Sequence, residues 1–159
     1  METVVGSLLG VDLGLRTGLA LYNQNGRLRW YRSRHFGSAA QLRRGARSVL
    51  KELPGLAWLI VEGSGPLAEI WTREAERWQV AVRQVRPEEW REALLWPREQ
   101  RTGAEAKQNA DQLARQVIEW SGARRPTSLR HDAAEAILIG LWGVLQVGWL
   151  ENLPVEVRR

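Results

Sequence analysis

Apolar residues recur along this chain with two periods, and the switches between them mark out its elements. Residues 7–13 and 17–22 are short apolar runs joined by a Gly-containing turn, which predicts an antiparallel pair of strands. Asn25-Gly26 supplies the chemistry of a tight hairpin turn, and residues 27–33 follow as a third, edge-like strand. Residues 39–53 have the spacing of an arginine-rich amphipathic helix, stopped by Pro54-Gly55. Residues 56–62 are almost continuously apolar, as expected of a strand covered on both faces. Gly65-Pro66 suits a helix start, residues 67–79 read as that helix, and residues 80–85 form a fifth strand. A short helix over 87–95 is broken by Trp96-Pro97. Residues 102–120 then form a long helix with Thr102 as N-cap, and 131–150 form the last. The order predicts one α/β domain over residues 1–159, a five-stranded mixed sheet flanked by helices, without repeat or linker.

Against this background a few charges stand in costly places. Asp12 lies inside Leu8-Leu9-Gly10-Val11-Asp12-Leu13, and strand alternation puts Leu8, Gly10 and Asp12 on one face. Glu62 ends Trp58-Leu59-Ile60-Val61-Glu62, at the carboxyl end of its strand, where α/β proteins bind ligands. The last helix opens His131-Asp132-Ala133-Ala134-Glu135; i,i+3 and i,i+4 spacing lets all three polar side chains face one point. A buried ionised carboxylate costs on the order of several kcal/mol unless positive charge meets it. Three apolar elements that each deliver acid to one end therefore call for a divalent cation. Carboxylate oxygens suit Mg²⁺ or Mn²⁺, and paired ions stabilise both the attacking and the leaving oxygen in phosphodiester hydrolysis. The pattern points to a metal-dependent phosphodiesterase.

Each residue also has a plainer reading. Asp12 would answer Arg16, and Glu62 would cap the following helix. Asp132 would be an N-cap after Thr127-Ser128, with Glu135 as its capping-box partner. His131 and Lys107 would be surface charges. The company of two other costly acids favours the metal site for Asp12; for Asp132 and Glu135 the residues alone leave both readings open.

Composition narrows the partners. The net charge is +5, and Lys51 and Lys107 are the sole lysines, leaving 21 arginines among 23 basic residues. Guanidinium forks match phosphate oxygens, so a polyanion, most simply nucleic acid, is the expected partner; solvated helix faces are the plainer alternative. With no cysteine there is no disulfide, no thiol nucleophile and no cysteine metal site. No signal peptide or membrane-length apolar stretch is seen, which predicts a soluble cytoplasmic protein.

Three segments together, Leu9-Gly10-Val11-Asp12-Leu13-Gly14-Leu15-Arg16-Thr17-Gly18, Val61-Glu62 and His131-Asp132-Ala133-Ala134-Glu135-Ala136, resemble the acidic motifs of the RuvC-type Holliday junction resolvases of the RNase H-like superfamily. Val85-Arg86-Pro87-Glu88-Glu89-Trp90-Arg91 and Ala106-Lys107 look especially like the chloroplast branch of these resolvases and its bacterial relatives. The resemblance implies an RNase H-like fold and paired hydrolysis of four-way DNA junctions, leaving 5′-phosphate and 3′-hydroxyl ends. It implies Asp12, Glu62, Asp132 and Glu135 as ligands of two Mg²⁺ ions, replaceable by Mn²⁺, with Lys107 and His131 as further catalytic residues. It also implies a homodimer through the helix after Glu62, since a twofold junction needs two symmetric cuts.

The chain departs from that pattern in places. Glu135 stands where bacterial RuvC has aspartate, Leu13 replaces a proline, and the basic loop is short unless residues 98–101 or Arg124-Arg125 substitute for it. On the helix after Glu62, Leu67, Ile70, Trp71 and Trp78 are expected either as core or as the dimer seam, with Trp71 alternatively stacking on an unpaired base. Trp142 and Trp149 form a similar stripe on the last helix. Two rival functions remain: a YqgF-type nuclease of ribosomal RNA processing, and a non-catalytic nucleic-acid-binding domain. The second has no use for three expensive acids.

Overall fold

A computed structural model describes residues 6–157. Its strands are β1 (Ser7–Asp12), β2 (Arg16–Asn23), β3 (Leu28–His35), β4 (Leu56–Glu62) and β5 (Ala81–Val85). Its helices are α1 (Ala39–Lys51), α2 (Pro66–Arg77), α3 (Pro87–Leu94), α4 (Gly103–Ser121) and α5 (His131–Gln146), with a 3-10 turn at Pro97–Gln100. The strands form one sheet in the order β3-β2-β1-β4-β5. β1, β2 and β3 pair antiparallel, whereas β4 and β5 add in parallel to β1.

Local chemistry fixes the helix starts. Ser38 and Thr102 accept hydrogen bonds from the third residue beyond them, capping α1 and α4, and Pro66 and Pro87 occupy first-turn positions of α2 and α3. Gly122 closes α4 in the left-handed conformation, φ 71°.

Each sheet face carries its own core. Leu9, Val11, Leu19, Leu21, Leu59 and Val61 pack against α1 and α2, with Trp71 fully buried among them. Leu8, Ala20, Tyr22 and Ile60 pack on the opposite face against α4 and α5, with Trp90 of α3 also buried there. Because successive strand residues alternate between faces, Asp12 shares the α5 face with Leu8 and Gly10.

The predicted elements are all present, and their ends differ in instructive ways. The last helix stops at Gln146 rather than residue 150, where Gly148 takes φ 81°. Asp132 is not the N-cap; Arg130 holds that position, so Asp132 sits inside the first turn and Glu135 has no capping-box role. Trp71 is 0 % exposed and forms neither a seam nor a base-stacking platform. Trp78 lies past the end of α2, 44 % exposed, its indole N–H donating to Glu74 at 3.2 Å, so it does not extend the Trp71 stripe. Trp142 does belong to the core, and Trp149 packs against it. Among the described residues no helix is long and apolar enough to cross a membrane.

Candidate metal centre

Strand register sets a row of residues across the sheet. Asp12 pairs with Glu62 on one side and with Gly18 on the other; Gly18 in turn pairs with Ser33, and Glu62 with Val85. Registered neighbours point to the same face, so Ser33, Asp12 and Glu62 all project toward α5. Both acids thus stand at the carboxyl ends of parallel strands.

Glycines bring the helix down onto this row. A Cβ on Gly10 would lie 2.7 Å from the Ala136 carbonyl oxygen and the Gly140 nitrogen, and one on Gly18 would lie 1.9 Å from the Asp132 carbonyl oxygen. Only bare backbone permits such an approach. Tyr22 ties the same helix to the sheet, its hydroxyl donating to the Ile137 carbonyl. The result carries Glu135, 7 % exposed, to the strand ends.

Asp12, Glu62 and Glu135 each place a carboxylate oxygen within 4.8 Å of the others. That crowding has an electrostatic consequence. Burial, followed by the charges of Glu135, Glu62 and Asp132, pushes the Asp12 carboxyl up to about 8. Burial also raises Glu62, opposed by the hydrogen bond from Trp90 and the charge of Arg91. Without a cation, the cluster holds protons. The plainer reading, in which Asp12 answers Arg16, is not met: Arg16 is exposed, and no ion pair joins the two.

The other sequence-predicted residues are arranged around this triad. His131 Nε2 lies 3.2 Å from Glu135 Oε2. Asp132 stands outside the triad; it accepts from the Ser33 hydroxyl at 2.7 Å and from the Ala133 N–H at 2.8 Å. Lys107 is exposed in the second turn of α4, and among the described residues no hydrogen bond or ion pair holds it at the triad.

Two residues of α3 reach the acids although sequence reasoning used them only as marks of resemblance. The Trp90 indole N–H donates to Glu62, and Arg91 approaches Glu135 at 3.4 Å with its guanidinium 5.2 Å from the Trp90 ring centroid. Neighbouring helix positions point in different directions, so their spacing alone did not signal that Trp90 would reach Glu62 and Arg91 Glu135.

A mixed five-stranded sheet with acids at adjacent strand ends and a helix delivering a third defines an RNase H-like α/β fold. No protein-family model and no curated protein sequence matches the chain. Among solved structures, Thermus thermophilus RuvC in complex with a Holliday junction substrate superposes with a TM-score of 0.62 at 17 % identity, covering 90 % of this chain and 96 % of that one. A second structure of T. thermophilus RuvC gives 0.62 at 16 % identity, over 89 % and 95 %. The chain thus has the fold of RuvC.

Proposed function

We propose that this protein is a metal-dependent, structure-specific endonuclease that resolves four-way DNA junctions. The observation that carries the reading is the convergence of Asp12, Glu62 and Glu135 in a fold shared with a junction-bound RuvC.

The donor set fits divalent ions. Three hard oxygen donors, with a proton held on Asp12 to about pH 8 when no cation is present, describe a site whose charge awaits compensation. Asp12, Glu62 and Glu135 would hold Mg²⁺ or Mn²⁺, with Asp132 contributing to a second ion after exchanging its Ser33 contact. Bound ions supply Lewis-acid stabilisation of the attacking and leaving oxygens.

The chain's own groups do the positioning. Trp90 fixes one carboxylate oxygen of Glu62 and leaves the other for ligation. His131 and Arg91 orient Glu135. Lys107, long, exposed and without an ion pair among the described residues, would neutralise charge that grows on the phosphate in the transition state. Surface arginines would grip the sugar-phosphate backbone.

Two symmetric cuts require two sites, and dimerisation through α2 is part of the proposal. Leu67 and Ile70 are half-buried on its outer side, beside a groove of about 510 Å³ shared with α1. Arg43, Arg44, Arg73 and Arg77 line the same groove, so Ile70→Arg would add like charge to the seam. Sedimentation should then show a folded monomer that nicks a junction without coupling its two cuts. A wild-type protein that remains monomeric on a junction would remove the dimer from the proposal.

The test of the activity compares a mobile four-way DNA junction, linear duplex DNA and structured RNA as substrates in Mg²⁺, with EDTA as control. Paired nicks confined to the junction, absent in EDTA and absent for Asp12→Asn, are expected. Cleavage of RNA in preference to the junction would establish the RNA-processing alternative instead, and no metal-dependent cleavage of any substrate would leave a binding domain.

A further inference from the structure

The sheet edge beside the triad carries a second feature that the chemistry above does not use. β3 is an edge strand, and its sequence, Leu28-Arg29-Trp30-Tyr31-Arg32-Ser33-Arg34-His35, exposes Arg29, Arg32 and Arg34. The loop between α4 and α5 crosses this edge on the catalytic face: Tyr31 donates its hydroxyl hydrogen to the Arg124 carbonyl, and Ser33 donates to Asp132. Together they enclose an open cleft of about 480 Å³ lined by Arg29, Trp30, Tyr31, Arg32, Arg124 and Arg125. Four guanidinium groups thus line one cleft that wraps the sheet edge: Tyr31 and the α4–α5 loop stand on the acid side, whereas Trp30 and Arg32, registered with Leu21 and Leu19, turn to the α1–α2 side. Arg32 lies over the Trp30 ring at 4.1 Å, and among the described residues the one ion pair these arginines make is the loose contact of Arg125 with Glu119 at 3.8 Å.

We propose that this cleft binds the sugar-phosphate backbone of one duplex arm leaving the catalytic centre. The inference rests on the nucleic-acid reading above and adds where the substrate lies. Three observations converge on that track. Arginine forks with little competing acid are suited to phosphate. Trp30 and Tyr31 add ring surface at the edge, and Arg32 already stacks on the Trp30 ring, an arrangement that holds its guanidinium in place. Register fixes direction as well: Ser33 is two strands from Asp12 in the same row, and Arg29 is four residues further back along β3. With strands ~4.8 Å apart and ~3.3 Å per residue, the cleft lies roughly 16 Å from the triad. That is about five base-pair rises at ~3.4 Å each, within one turn of a duplex whose cleaved phosphate sits at the acids.

Arg83 offers a control. It stands on β5, the edge strand at the other end of the sheet from β3, with its guanidinium 5.9 Å from the Trp142 ring centroid, outside both the cleft and the α1–α2 groove. Phosphate binding there would not belong to this track.

The test measures fluorescence-anisotropy binding of a labelled four-way junction by the full chain in EDTA, over a range of salt concentrations. The double variant Arg32→Gln/Arg125→Gln should lower the slope of log affinity against log salt by about two, since each phosphate contact contributes about 0.9. Affinity near 0.1 M salt should fall by more than tenfold, with the melting temperature unchanged. Arg83→Gln should change the slope by less than half a unit. Ethylation of phosphates about five positions from the cleaved bond should interfere with wild-type binding and cease to matter in the cleft variant. An unchanged slope in the cleft variant, or an equal loss in Arg83→Gln, overturns the proposal while leaving the endonuclease reading in place. A wild-type protein that binds no junction at all overturns both.

Discussion

The two faces of the sheet are built from the same alternating strands and do different work. On the α1–α2 face, bulky aliphatic residues and Trp71 fill the space, and the Trp71 indole N–H finds no partner among the described residues. On the α5 face, glycines at 10, 18 and 140 thin the packing until helix and strand backbones nearly touch, and the buried Trp90 uses its N–H to hold Glu62. One face is optimised for volume and the other for position. A carboxylate cluster needs the second kind of face, because placing three like charges within 4.8 Å requires a scaffold that cannot relax away from them.

The largest effect should come from restoring side-chain volume on the positioned face. In Gly18→Ala the new Cβ would meet the Asp132 backbone, which cannot yield without moving α5. A loss of about 3 kcal/mol or more in chemical denaturation is expected, with metal binding abolished in whatever remains folded. Gly45→Ala on the other face meets the far end of the Phe36 ring, which can turn aside. It should cost distinctly less and leave metal binding intact. Equal costs in the two variants would erase the distinction between the faces.

Asp12→Asn should sharpen the comparison through pH. In the metal-free protein the Asp12 carboxyl keeps its proton to about 8, whereas in the unfolded chain it ionises from 3.8 upward. The unfolded state therefore binds fewer protons across that interval, and stability falls as pH rises from about 4 to about 8. In EDTA the variant should melt near the wild-type temperature at pH 4 and more than about 3 °C above it at pH 8. Glu62, also raised, leaves a smaller slope of the same sign in the variant. Parallel pH profiles for the two proteins would show that Asp12 carries no such strain.

The two tryptophans give a smaller effect. Trp90→Phe removes the donor to Glu62 and should weaken Mn²⁺ affinity by about 10- to 100-fold, the range for losing a group that orients a ligand. Trp71→Phe removes an unpartnered N–H, so the lost apolar area and the relieved desolvation oppose each other; stability should change by less than about 1 kcal/mol and Mn²⁺ affinity not at all. Calorimetric titration of both variants distinguishes them.

Much of the arrangement was legible in the sequence because it follows from period and parity. Alternation placed Asp12 with Gly10 and Leu8, a strand end exposed Glu62, and helical spacing grouped His131, Asp132 and Glu135. All five strands followed from the same reasoning. What escaped it depends on tertiary register. The Ser33 hydroxyl reaches Asp132 across 99 positions of chain, and nothing local in β3 announces that partner. Trp90 and Arg91 meet the acids because of how α3 docks against α5, a packing outcome that helical periodicity leaves open. For Trp71 the sequence left core and seam both open for a related reason: one apolar stripe on a helix looks the same whether it faces a sheet or a second subunit, and here the sheet takes it.

The central claim is that the α5 face holds a divalent-cation centre made by Asp12, Glu62 and Glu135. Calorimetric titration of the metal-free protein with Mn²⁺ at pH 8 tests it most directly, with Asp12→Asn and Arg73→Gln/Arg77→Gln titrated alongside. Binding by the wild type, lost or weakened by at least about tenfold in Asp12→Asn and unchanged in the groove variant, is the predicted result. A wild-type protein that takes up no Mn²⁺, or an Asp12→Asn variant that binds it as tightly, would contradict the account.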